Sequence, residues 1–173
     1  MTAQLFKART GQRGFTLIEL LLYVAIVGAL LTSVITFFGV AADARVKDET
    51  IAEVNDQGTA AIDYIAQTIR NASSITSPIA GSNAASLTLN TAAGSTLINL
   101  SGVVLQTREG VAGQTIPLTN TDMQITNLNF ANLTRSGTQG MIKFTFKVAH
   151  TNPASRNEYD YQQTFASSAE VEW

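Results

Sequence analysis

The sequence is most informative in what it lacks. Its 173 residues include no cysteine, so the chain can form no disulfide and has no thiol chemistry. Its one histidine is His150, which argues against histidine-based metal clusters and serine–histidine or cysteine–histidine dyads. No glycine-rich loop is followed by Lys-Ser or Lys-Thr, so nucleotide binding is not expected. We therefore expect that the chain is not an enzyme and uses no cofactor.

Charge and proline are scarce near the N-terminus. Residues 15–42 contain no proline, and Glu19 is their one charged residue. A helix of these 28 residues spans about 42 Å, more than the ~30 Å hydrocarbon core of a bilayer. The segment before it has three basic residues and no acidic one: Lys7, Arg9 and Arg13. This bias predicts a single-pass protein of the cytoplasmic membrane, with its N-terminus in the cytoplasm and residues 43–173 exported.

An ordinary secretory signal fits this segment poorly, because its apolar region is only about 7–15 residues long. A plain signal-anchor helix is the main alternative. Such a helix has no use for Glu19, since a carboxylate inside the bilayer costs about 2.5 kcal/mol or more. The acid is therefore expected to have a partner.

The start of the apolar run is distinctive. It reads Gly14-Phe15-Thr16-Leu17-Ile18-Glu19-Leu20. This stretch resembles the cleavage and methylation motif of the type IV pilin and pseudopilin family. The resemblance implies that a prepilin peptidase cuts after Gly14, which removes residues 1–14 as a cytoplasmic leader, and that the new N-terminus at Phe15 is methylated. Many family members have a proline where this chain has Thr36, and many close a C-terminal loop with a disulfide that this chain cannot form.

Two pairings are open for Glu19. The carboxylate can pair with the Phe15 amine of its own chain, about one helical turn away, or with that of a neighbouring subunit. The family resemblance implies the second pairing, which sets an axial register between subunits in a filament core. Either pairing offsets the cost of a charge that is out of water.

The resemblance also implies the partners and the location of the chain. It implies other pilin subunits in a helical filament, a prepilin peptidase, and an inner-membrane assembly platform with its ATPase. The helix at residues 15–42 would lie in membrane lipid before assembly, and the filament would then be extracellular or periplasmic.

The side chains that follow the leader comprise 8 basic and 13 acidic residues, a net charge of −5 that does not suit nucleic-acid phosphates.

Residues 43–173 are long enough for one domain with its own core. Apolar residues continue at helical spacing and predict an amphipathic helix over residues 43–72, in which Gly58 can introduce a kink. The predicted apolar face consists of Ile51, Val54, Gly58, Ala61, Ile65, Ile69 and Ala72. With the apolar segment it forms one helix from about residue 15 to 72.

Alternating runs predict a β-rich region over residues 84–173. The predicted strands cover residues 86–90, 95–100, 103–108, 123–133, 141–149 and 159–171, and Ser101-Gly102 predicts a tight hairpin turn. A helix followed by strands indicates an α+β fold, with the helix on one face of an antiparallel sheet. The runs at residues 127–130 and 161–165 resemble minor pilins and J-type minor pseudopilins.

Two polar groups outside the motif were candidates for a site. Glu49, Glu53 and Asp56 share one helical face and could in principle bind a hard cation, although a solvated face beside Arg45 and Lys47 is favoured. His150 is expected to be a plain surface residue at the end of a strand. The sequence therefore predicts a structural pilin-type subunit of the minor kind. The alternative is a signal-anchored exported binding or adhesion domain that does not polymerise.

Overall fold

The structure is a computed structural model that describes residues 14–92, 94–110 and 113–172. Apart from Gly14, the predicted leader lies outside these residues. One α-helix, α1 at Leu17–Arg70, comes first and β-strands follow. The expected α+β fold, with a long N-terminal helix packed on antiparallel strands, is confirmed. Both termini of the helix lie within two residues of their predicted positions. The chain divides into one unit that ends at Ala42 and another that begins at Asp43.

In the second unit, α1 presents one buried face to the strands. Val54, Gly58, Ala61, Ile65 and Ile69 are buried on this face as predicted. The predicted face needs correction at both ends. Ile51 is only partly buried and Thr50 is buried in its place, while Ala72 is buried but belongs to the first strand. Thr50 is compatible with burial because its hydroxyl donates a hydrogen bond to the Val46 carbonyl at 2.9 Å.

Nine strands follow α1 in the part of the chain that the structure describes. They are β1 Ala72–Ser77, β2 Asn83–Ala84, β3 Leu87–Thr91, β4 Gly94–Ser101, β5 Val104–Glu109, β6 Thr115–Pro117, β7 Met123–Asn132, β8 Met141–His150 and β9 Gln162–Glu170. The predicted hairpin turn is confirmed between β4 and β5, where Ser101 pairs with Val104 and Gly102 has φ +62°. A glycine at the first central position of a two-residue loop is typical of a type II′ turn.

The strands form two antiparallel sheets, whereas the sequence led us to expect one. Sheet A has five strands in the order β1-β3-β4-β5-β6, and sheet B has four in the order β2-β7-β8-β9. Alternation identifies a strand and its buried face but not the neighbour with which it pairs. The short strand β2 shows this most clearly, because it precedes β3 in the chain yet pairs with β7.

Three strands were not predicted, and one begins later than expected. β1, β2 and β6 fall in segments read as helix end or loop, because they are short or have few apolar residues to alternate. The last strand was expected from residue 159. It begins at Gln162, since Tyr159 closes a short 3₁₀ turn at Asn157–Tyr159.

The core of the second unit lies between α1 and the strands. Its fully buried side chains include Leu87, Leu89, Ile98 and Leu105 from sheet A, and Phe130, Ile142, Phe144 and Phe146 from sheet B. Val54, Ile65 and Ile69 of α1 complete it with no exposed surface of their own. Burial of this kind contributes about 25 cal/mol per Å² of apolar surface, so residues 43–172 hold a core that does not depend on lipid.

Candidate functional site: the N-terminal segment and the start of the long helix

The segment with the predicted processing site lies just before α1. Residues 14–16 have no regular structure, and the helix begins at Leu17. Thr16 caps the helix, since its hydroxyl accepts a hydrogen bond from the Glu19 backbone N–H at 3.3 Å and its carbonyl accepts one from Leu20 at 3.2 Å. Thr-x-x-Glu is the sequence pattern of a capping box. The Gly14–Phe15 bond therefore lies outside the helix, in exposed backbone.

Gly14 has no structural reason to be a glycine within the described chain. A Cβ built on Gly14 meets no heavy atom of the described residues within 4 Å. Gly28 and Gly39 are equally free of contacts. A requirement for glycine at residue 14 would have to come from another molecule.

Phe15 and Glu19 are both available to partners. The Phe15 side chain is 70% exposed, and its ring lies 5.8 Å from that of Tyr23. Glu19 is exposed in the first turn of α1, where its negative charge interacts favourably with the positive end of the helix dipole. Among the described residues, no ion pair involves Glu19.

The part of α1 that belongs to the first unit of the chain, up to Ala42, is apolar and exposed. All of its large apolar side chains from Leu17 to Val40 are at least 48% exposed. By length and composition, α1 is able to cross a membrane. Three of its hydroxyls are satisfied within the helix: Thr32, Ser33 and Thr36 donate to carbonyls four residues earlier at 2.9–3.0 Å. Internal satisfaction of this kind is what a membrane-spanning segment requires.

The comparison with protein families finds a match in this segment. Residues 9–35 match the model described as the prokaryotic N-terminal methylation motif. The match identifies this motif alone, over the stretch from Arg9 to Ile35. It covers the Gly14–Phe15 junction, Glu19 and most of the apolar helix, and it is consistent with a membrane-anchored, single-pass chain. No curated protein and no solved structure matches the chain.

A second polar group lies in the exported unit, where the sequence suggested a cation site. Glu53 accepts a hydrogen bond from the Asn120 side-chain amide at 2.8 Å, and its other oxygen lies 3.7 Å from His150 Nε2. Within the described residues, no group of three or more His, Cys, Asp or Glu side chains is placed to hold a metal ion. The structure thus gives Glu53 two protein partners and does not gather Glu49, Glu53 and Asp56 around a cation.

His150 is not the plain surface residue that was expected. Its side chain is only 14% exposed, its ring stacks on Tyr159 at 5.0 Å, and Nδ1 lies 2.9 Å from the Thr151 carbonyl. The loop before β9 explains this burial. The sequence gives no signal for it, because the stacking partner is nine residues further along the chain.

The same loop also contains an ion pair between a half-exposed arginine and a largely covered glutamate. Arg156 Nη2 lies 2.6 Å from Glu158 Oε1, and the Arg156 guanidinium also lies 5.5 Å from the centre of the Tyr159 ring. The hydrogen bond from Arg156 holds the pKa of Glu158 below its ordinary value of 4.5. These contacts link Arg156, Glu158 and Tyr159 within the loop.

Proposed function

We propose that the chain is a minor structural subunit of a type IV pilus or a related pseudopilus. In this proposal a prepilin peptidase cuts after Gly14, the new amine of Phe15 is methylated, and the mature chain joins a helical filament through its N-terminal helix. The role is structural and not enzymatic. One observation carries the proposal: a methylation motif spans an exposed Gly14–Phe15 bond that stands immediately before an apolar, exposed helix.

The geometry supports each step from the residues upward. Nothing in the described part of the chain packs against Gly14, so its lack of a side chain would serve an enzyme that must approach the scissile bond. Thr16 begins the helix after the bond to be cut, so cleavage leaves the helix cap intact. Glu19 has no ionic partner within the described chain, which leaves it available to the Phe15 amine of a neighbouring subunit. The minor role is supported by the sequence resemblance within β7 and β9.

The processing step is tested by the mass of the mature protein. Loss of residues 1–14 together with a gain of about 14 Da, one methyl group at the new amine, is the expected result. An intact N-terminus would instead favour the alternative, a signal-anchored binding domain that stays monomeric.

Gly14→Val is expected to leave the precursor uncut, because a β-branched side chain crowds the scissile bond. Gly39→Val is the matched control, since that glycine is equally free of contacts and lies far from the bond. Electrophoretic mobility in cells that express the peptidase distinguishes the two forms. Normal maturation of Gly14→Val would contradict the assigned cleavage site.

A further inference from the structure

The outer edge of β9 differs from the other three sheet edges. β1 has two register shifts, β2 has two residues, and β6 has three and ends in Pro117. Such features prevent an edge from pairing with another chain. β9 has none of them: Gln162–Glu170 pairs with β8 over nine residues without a register shift and contains no lysine or proline.

The backbone groups on this edge are open. Among the described residues, β9 forms its backbone ladder with β8 alone, and no backbone hydrogen bond joins it to another element. One face of β9 points into the core through Phe165 and Ala169. The other face is exposed and has small side chains at its centre, Thr164, Ala166 and Ser168. The edge therefore has unpaired backbone groups beside a surface of small, exposed side chains.

Two lysines lie one strand further in, on the same exposed face. Lys143 pairs with Ser168 and Lys147 with Thr164, and directly paired residues project to the same side of a sheet. The ion pairs among the described residues join His150 to Glu53 and Arg156 to Glu158, so neither lysine has a carboxylate partner. Lys143 is exposed and Lys147 is half-buried, and the β9 residues between them and the edge are small, so no large side chain of β9 blocks either lysine from the edge.

We propose that β9 is a docking strand for an extended acidic polypeptide segment from a partner. The segment adds to sheet B beside β9 as an antiparallel strand, and its backbone groups pair with those that β9 leaves open. Strands lie about 4.8 Å apart, so the added strand is about 10 Å from β8, a gap that a lysine and a carboxylate side chain close together. Lys143 and Lys147 are four residues apart, so they select carboxylates at the same spacing.

The probe is a capped nine-residue peptide of threonine and valine with glutamates at its third and seventh positions. Binding to the full-length chain in detergent micelles is measured by fluorescence anisotropy. The glutamate peptide is expected to bind more tightly than the same peptide with lysines at those positions. Methylation of alternate backbone nitrogens, on the edge that faces β9, is expected to abolish binding because it removes the ladder donors.

Charge reversal locates the site. Lys143→Glu with Lys147→Glu is expected to weaken binding of the glutamate peptide about tenfold, since each exposed ion pair changes affinity up to about fivefold and reversal adds repulsion. The same variant should gain preference for the lysine peptide, which a misfolded protein would not do. Arg45→Glu with Arg108→Glu changes the net charge equally at exposed positions elsewhere and should leave the preference unaltered.

Three results would overturn the proposal. One is the absence of binding to the unaltered chain, and another is equal binding of the backbone-methylated peptide, which would place recognition in side chains alone. The third is that the variant with Lys143→Glu and Lys147→Glu still prefers the glutamate peptide to the lysine peptide. That result would place the peptide elsewhere on the surface.

Discussion

Glu19 combines a local and a proposed intermolecular role. Locally, its backbone N–H is the donor to Thr16, so the helix cap does not depend on the carboxylate. The carboxylate itself has no ionic partner among the described residues. A substitution that removes only the carboxylate thus separates helix formation from assembly.

Glu19→Leu is expected to be inserted and cut but excluded from filaments. In the register model, the Phe15 amine then remains in an apolar filament core without its partner. Loss of one partner of a buried ion pair costs about 3–5 kcal/mol, roughly a hundredfold or more in an equilibrium. The measurement is the ratio of this protein in sheared filaments to that in membranes.

Ser33→Leu is the control for Glu19→Leu, since it also replaces an exposed polar side chain of the apolar helix segment by leucine. It should enter filaments normally. If Glu19→Leu enters them as well as the unaltered chain, then Glu19 does not set the register.

Gly58 has a packing role that its neighbours in the sequence do not reveal. The sequence suggested a kink at this position, which lies inside α1. A Cβ built there would lie 2.1 Å from Phe165 Cζ, so the glycine lets the ring pack directly on the helix backbone. The ring cannot move away easily because it stacks on Phe146 with 5.7 Å between ring centres.

Gly58→Ala is therefore expected to destabilise the protein, although alanine favours helix by about 1 kcal/mol. Overpacking of a filled core costs typically 1–3 kcal/mol, so we expect a net loss of up to about 2 kcal/mol in the free energy of unfolding. Urea denaturation measures it. Phe165→Leu in the same chain should reverse part of the loss. A higher stability of the single variant would show that the ring yields at no cost.

At the scale of elements, α1 was the most predictable part of the fold. Its spacing of apolar residues identified Val54, Ile65 and Ile69 as core residues, because 3.6 residues per turn place them on one face. The strands with clear alternation were predictable for the same reason: Ile142, Phe144, Phe146 and Val148 of β8 are all buried. β1 was not, because its pairing with β3 gives the segment its structure and its own side chains do not.

Ile65→Ala tests whether the predicted face is the one that stabilises the domain. Ile65 has no exposed surface, so the substitution is expected to cost about 2–5 kcal/mol. Gln67→Ala is the matched control, since Gln67 is exposed on the same helix and should change stability by less than about 0.5 kcal/mol. An unchanged denaturation midpoint for Ile65→Ala would mean that this position does not contribute to the core.

At the scale of the whole molecule, the unit that begins at Asp43 is expected to be soluble and to fold without the apolar helix segment. The core residues of the described chain all lie between Val54 and Val171, within this unit. A fragment that starts at Asp43 should unfold cooperatively in urea, as small domains do. Aggregation of this fragment, or a non-cooperative transition, would show that the core needs the preceding helix.

The sequence by itself determined the parts of this protein that depend on local chemistry. Residues 14–20 and the uncharged run after Glu19 predict the processing motif and the membrane helix, since these follow from the order of residues along one segment. The family comparison covers that same segment. The roles of Gly14, Phe15 and Glu19 are still predictions that the filament and mass measurements address.

Tertiary structure alone decided what depends on residues far apart in the chain. It divided the strands into two sheets, packed Phe165 against Gly58, buried His150 beneath Tyr159, and left β9 as an open edge beside Lys143 and Lys147. The physical reason is common to all four. Hydrophobic periodicity fixes which face of an element is buried, but the choice of neighbour depends on backbone pairing and packing between segments with no sequence relation.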